Sequence, residues 1–245
     1  LAYRHDPDLE FLRSCSSDDL DILVQMLTKD KDGTIRLTEE LTGTDQYKRY
    51  SPDHKRYWDL IAAELQCFGG NTFATIFRGG KGVSYKEVLT DVCDKMKVNY
   101  NEKASVETIE MNLLMKILTD SMADMTPAQL RDVVKDLDLK TTDMTKQGVI
   151  AAIQGGVVMS GFMAYKIAAI VANAVAKFLI GRGLTLAGNQ VLMRTIGTFA
   201  GPIGWALTAL WTAFDISGPA YRVTMPCVVQ VAFLRAKTKY GSTSR

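Results

Sequence analysis

The segment from Thr28 to Glu39 comes nearest to a metal-binding motif. It places Asp30, Asp32, Gly33, Thr34 and Glu39 at positions 3, 5, 6, 7 and 12 of a calcium loop, with Ile35 at the apolar position. Position 1 is Thr28, where the motif needs aspartate, and position 9 is the cation Arg36. A missing carboxylate and an added positive charge both work against Ca²⁺. The favoured reading of the same residues is a glycine turn between helices, with Asp30 and Asp32 as its polar members. No metal and no cofactor are expected.

The other chemistry-bearing residues form no constellation. Phe68-Gly-Gly-Asn-Thr and Arg78-Gly-Gly-Lys-Gly-Val-Ser bracket a short helical stretch, Phe73 to Phe77. The second lacks the spacing of a phosphate loop, and glycine caps at helix ends explain both. His5 and His54 are the only histidines; His54 beside Asp53 reads as a solvated surface pair. Cys15, Cys67, Cys93 and Cys227 are widely spaced, without CxxC. Carboxylate pairs such as Asp18/Asp19 and Glu39/Glu40 sit in no apolar setting that would raise a pKa. No catalytic residue is assigned.

The elements that must carry these residues divide into two kinds. Residues 1–145 carry 26 acids against 19 bases, a net of −7, whereas residues 146–245 carry ten bases against one acid, Asp215, a net of +9. Such asymmetry points to a membrane or nucleic-acid partner, or to two parts that meet. The acidic part has helix-start signals at Asp6-Pro7, Ser51-Pro52 and Thr126-Pro127, and capping boxes at Ser84/Glu87 and Thr126/Gln129. Apolar residues then recur at helical spacing: Trp58, Ile61, Leu65 and Phe68; Tyr85, Val88, Leu89, Val92 and Met96; Val106, Ile109, Leu113 and Ile117; Leu130, Val133, Val134 and Leu137.

In the basic part the polar face nearly vanishes. Gly148 to Ile180 holds two charges, Lys166 and Lys177. Gly148, Ala152, Gly156, Ser160, Ala164, Ala168, Ala172 and Ala176 form a ridge of small residues at every fourth position, which predicts one long helix with a close-packing seam. A shorter ridge follows at Ala200, Gly204, Thr208 and Thr212. Residues 147–165 and 195–214 are uncharged and reach the length of a membrane span. Small residues contribute little transfer energy, however, and Pro202 interrupts the second stretch. Positive charge would also fall on both sides of a two-span hairpin, against the usual cytoplasmic bias. A stably polytopic protein is therefore the weaker reading, and a hairpin buried in a soluble form, able to meet lipid under a trigger, stays open beside a purely soluble core. Leu1 to Glu10 is charged, so no secretory signal is expected. Nucleic acid is disfavoured because Trp205 and Trp211 lie inside the apolar stretch and only Arg235, Lys237 and Lys239 cluster; anchoring at a surface fits that tail better.

Four segments together carry a resemblance: Asp8-Leu-Glu-Phe-Leu12, Asp19-Leu-Asp-Ile-Leu23, Trp58 to Asn71, and Ala220 to Arg235. The chain resembles the YaaW-like family of bacterial proteins over nearly its whole length. Residues 56–140 are similar to a helical segment grouped with ubiquinol–cytochrome c chaperones. The resemblance implies a bacterial, intracellular, helical protein and lends no catalytic residues.

The expected fold is all-α: an acidic multi-helix domain, residues 1–143, packed on a Gly/Ala-rich apolar helical hairpin unit, residues 144–245. The leading function is a non-catalytic helical interaction protein, chaperone-like or stress-related, whose hairpin meets a partner helix or an anionic membrane surface. The alternatives are a membrane-perturbing effector that inserts the hairpin on a trigger, and an enzyme whose site no motif announces. The expected location is the cytoplasm, with the inner-membrane surface as the alternative.

Overall fold

The computed structural model describes residues 1–30, 32–69, 82–184, 196–199, 201–204, 206–209 and 220–241. Of the glycine clusters around Phe73–Phe77, residues 70–81 fall outside them, as do Ala200 and Thr212. Among the described residues the protein is helical and has no strand; an isolated antiparallel bridge joins Lys29 and Ile35. In chain order the helices are α1 (Ser17–Thr28), α2 (Asp45–Tyr50), α3 (Trp58–Gly69), α4 (Tyr85–Lys95), α5 (Val106–Ser121), α6 (Pro127–Asp136), α7 (Lys146–Met159), α8 (Gly161–Ile180) and α9 (Tyr221–Tyr240). Short 3-10 turns cover Glu10–Ser14, Leu41–Gly43 and His54–Tyr57. Residues 196–199, 201–204 and 206–209 are also helical, with Ile196, Phe199, Ile203 and Leu207 turned inward.

One local device starts most of these helices. Ser16, Thr44, Ser84, Ser105, Thr126, Thr145 and Ser160 each accept a hydrogen bond from the backbone N–H three residues on. Such a cap satisfies a donor that the helix leaves open and contributes about 1 kcal/mol. Thr126 and Gln129 complete a reciprocal box, with Pro127 at the first helical position. Two other proline signals do not start an α-helix. After Asp6-Pro7 the chain turns into the 3-10 segment at Glu10, and Asp6 instead accepts from Tyr85 N at 2.6 Å and Asp8 N at 3.0 Å. After Ser51-Pro52 it enters the 3-10 turn at His54 before α3.

The core is organised around α9. Its twelve residues from Val223 to Leu234 are all buried, so it has no solvent face over that length. It packs most extensively on α8, and also on α1, α3, α4, α5 and the first 3-10 turn. α8 is buried without interruption from Ile167 to Ala176, and the Tyr165 and Phe233 rings stack across the pair at 6.1 Å. A fully buried Val, Leu or Ile contributes roughly 1.5–3 kcal/mol.

The basic end of α9 is engaged within the fold. Arg235 pairs with Glu110 at 2.9 Å, Lys237 with Asp19, and Lys239 with Glu107 at 2.6 Å. These bases meet acids of α1 and α5, so the opposite charges of the two halves are spent partly on each other.

The expected single helix over residues 148–180 is two helices. Ser160 adopts an extended backbone, φ −144° and ψ 118°, closes α7 and caps α8 through Met163 N. The next residue is closely approached by another helix. A Cβ on Gly161 would lie 2.3 Å from the Tyr240 ring, so the end of α9 occupies the space that a side chain would need.

Candidate functional site

The break at Ser160 divides the small-residue ridge into two environments. In α8, Ala168, Ala172 and Ala176 are buried, on the helix that packs along α9, and Ala164 is half-buried. In α7, Gly148, Ala152 and Gly156 are half-buried and Ser160 is exposed. A Cβ at Gly204 would meet no described atom within 4 Å. Only Val149 and Ile153 of α7 are buried, where it meets α6 and α8. Its outer face carries Ala151, Gln154, Gly155, Val158 and Met159, with no charge after Lys146. Val158 is 88% exposed and Met159 90%. Among the described residues α8 is the helix long and apolar enough to cross a membrane, yet 61% of that window is buried inside the fold.

The calcium-like segment forms a tight reversal. Asp30 N donates to Thr34 O at 2.8 Å, Gly33 N to Asp30 O at 2.9 Å, and Arg36 N to Thr28 O at 2.9 Å. Gly33 sits at φ +84°, which glycine adopts without strain. The carboxylates are committed separately. Asp30 binds Arg36 Nη1 at 2.5 Å; Asp32 accepts from Thr34 N at 3.1 Å and Thr34 Oγ1 at 2.8 Å; Glu39 accepts from Thr42 N at 2.8 Å and from the Thr42 hydroxyl. Arg36 therefore stands where a cation would have to sit. Among the described residues no group of three or more His, Cys, Asp or Glu is placed to hold a metal.

This reversal forms one wall of a cleft of about 600 Å³. Met26 of α1 and Leu179 and Ile180 of α8 give it an apolar side, while Lys29, Arg36 and Arg222 of α9 bring three cations. Asp30 and Asp32 also border it.

Several buried polar groups have no motif to announce them. Glu110 is almost fully buried and accepts from the Tyr85 hydroxyl at 2.7 Å and from Arg235 Nε at 2.9 Å. Arg235 also donates to Asp8 O at 2.7 Å and lies 4.5 Å from the Phe11 ring centre. Burial pushes the Glu110 carboxyl up, against the pull of Arg235 and Tyr85. His54 is not a solvated partner of Asp53. It is buried, with Nδ1 2.5 Å from the Tyr57 hydroxyl and Nε2 3.2 Å from Asp21, which also pairs with Arg182. Glu64 of α3, only 2% exposed, is pushed up to about 7 by burial, opposed by the Glu40 backbone N–H that it accepts at 3.1 Å. Nearby Glu39 and Glu40 push the same way as burial. These groups tie elements together.

A profile of the ubiquinol-cytochrome C chaperone family matches residues 53–231, further toward the C-terminus than the 56–140 resemblance. A domain of unknown function (DUF3944) matches residues 3–37. A UPF0174 protein of Helicobacter pylori (strain J99 / ATCC 700824) is 48% identical over 246 residues, covering 100% of this chain and 97% of its own length. Another, from Helicobacter pylori (strain ATCC 700392 / 26695), is 40% identical over 208 residues, covering 83% of this chain and 99% of its own length. The UPF0174 protein YaaW of Escherichia coli (strain K12) is 31% identical over 245 residues, with 96% of each chain covered. No solved structure matches. An all-α chain that carries the chaperone-family profile over most of its length and aligns end to end with these relatives belongs to the UPF0174 (YaaW-like) family.

Proposed function

We propose that this protein is a chaperone-like binding protein that receives an apolar helix of a protein partner on the outer face of α7. The observation that carries the reading is the exposure of that face. α7 has no charge after Lys146, and it presents Ala151, Gly155 and Val158 at helical spacing, beside Met159. Apolar surface left open on a protein with a well-filled core marks an interaction site, and an i, i+4, i+7 stripe suits a helical partner. Methionine adapts to differently shaped neighbours, which a binder of incompletely assembled proteins requires. The family profile supports a role of the chaperone type. The burial of α8 inside the fold favours α7 over α8 as the contact surface.

In-cell photocrosslinking tests this. A photoreactive phenylalanine at position 159 should give a discrete protein adduct, and one at exposed Glu102 should not. Val158→Asp should reduce the adduct by about tenfold or more while changing stability by less than about 0.5 kcal/mol, as exposed substitutions do. No adduct at 159, or adducts to lipid alone, would contradict the proposal.

A further inference from the structure

We propose, resting on the reading of the outer face of α7 as the contact surface, that Met159 is the residue hydrogen peroxide oxidises and that its sulfoxide closes this face to a partner. Three observations point there. The first is access. Met159 is 90% exposed and Met144 40%, whereas Met26, Met96, Met122 and Met225 are buried and Met111, Met115, Met125 and Met163 are half-buried. The second is the seclusion of the competing sulfurs. Cys15, Cys93 and Cys227 are buried and Cys67 is half-buried. Burial pushes all four thiols up, Cys93 to about 12, and the thiolate is the form that reacts with peroxide. A thioether has no proton to lose, so exposure alone ranks the methionines. The third is position. Met159 is the last residue of α7, beside exposed Val158, on a helix with no charge after Lys146.

The step is an oxygen transfer. The sulfur lone pair attacks one oxygen of hydrogen peroxide, an S–O bond forms and the O–O bond breaks. The proton of the transferred oxygen passes to the departing hydroxide, which leaves as water; sulfur loses an electron pair and peroxide gains it. The product replaces an apolar, adaptable side-chain end with a strong hydrogen-bond acceptor. In the free protein water hydrates that oxygen, and the fold is not disturbed. Under a docked apolar helix it loses its water and meets no donor, which is the costly setting for a polar group. The modification therefore acts on docking and leaves the α8–α9 core as it was.

The purified chain, carrying a photoreactive phenylalanine at exposed position 151, provides the test. It is treated with hydrogen peroxide, freed of it, mixed with untreated cell lysate and illuminated. Peptide mass spectrometry should find the Met159 sulfoxide forming at least about threefold faster than that of any other described methionine, and before any thiol is lost. The discrete adduct at 151 should fall by about tenfold after treatment, while the urea midpoint stays in place. Methionine sulfoxide reductases with dithiothreitol should restore the adduct, and dithiothreitol alone should not. Met159→Leu should bring the treated-to-untreated ratio to about one, whatever its starting yield, and Met144→Leu should leave the tenfold fall intact. If Met159→Leu gives too little adduct to read, the reductase result decides. Absence of the adduct from the untreated chain overturns the contact-face reading and this proposal with it. An adduct that survives treatment, falls equally in Met159→Leu or recovers with dithiothreitol alone overturns this proposal and leaves that reading standing. So does oxidation of Met144 or of a cysteine ahead of Met159.

Discussion

Helices α7 and α8 follow one another across a single residue, share an uninterrupted small-residue spacing and are both nearly uncharged, yet one is surface and the other core. α8 lies along α9 and is buried from Ile167 to Ala176. α7 buries Val149 and Ile153 and leaves Val158 and Met159 in solvent. The difference lies in what faces each helix. α8 meets a helix buried on every side, and small residues there let two backbones come close. Among the described helices α7 packs mainly on the short α6 and on α8. A ridge of small residues is thus a permission for close packing, and a facing helix is needed to use it.

The largest effect on this contrast should come from removing what locks α9 in place. Arg235→Met would leave Glu110 buried without its cation, and urea denaturation should show a loss of about 3–5 kcal/mol. A smaller loss would mean that α9 is held by packing alone.

Glu64 gives the next largest effect, read in pH. Its folded pKa of about 7 lies above the ordinary 4.5, so the folded state binds a proton more tightly than the unfolded chain. Its contribution to stability is full below about pH 4.5 and is lost as pH rises through about 7, by roughly 3 kcal/mol at most. Glu64→Gln should flatten this part of the stability–pH curve, and an unchanged curve would remove Glu64 as its cause.

The two helices can be compared by the same substitution. Ala168→Leu should overpack the α8 seam and cost about 1–3 kcal/mol, whereas Ala151→Leu on the open face of α7 should stay within about 0.5 kcal/mol. Ile170→Leu, which conserves volume in the α8 core, should cost less than about 1.5 kcal/mol. Equal costs at 168 and 151 would contradict the division at Ser160. A further modest effect is expected at the division itself. Ser160→Ala removes the α8 cap and should cost about 1 kcal/mol.

Much of this architecture was legible from spacing. The apolar sets on α4, α5 and α6 are buried largely as their periodicity predicts, and the caps at Ser84 and Thr126 start their helices where the residues stand. These features are local. The break at Ser160 was hidden because the small residues continue in phase through it, and the ring packed against Gly161, that of Tyr240, lies 79 residues away. His54 looked solvated because Asp21, its partner, lies 33 residues earlier. Glu64 gave no signal because backbone N–H groups, which every residue carries, hold its carboxylate. The cleft likewise joins residues from α1, the reversal, α8 and α9, and only the folded chain brings Arg36 and Arg222 together.

The central claim is that α7 is an open face awaiting a partner while α8 is core. Hydrogen exchange on the two helices, in the purified chain and in the complex recovered through the position-159 adduct, tests it most directly. The account predicts slow exchange throughout Ile167–Ala176 in both samples, faster exchange in Ala151–Met159 of the purified chain, and marked slowing of that segment in the complex. Equal protection of the two helices in the purified chain, or no change in α7 on complex formation, would contradict it.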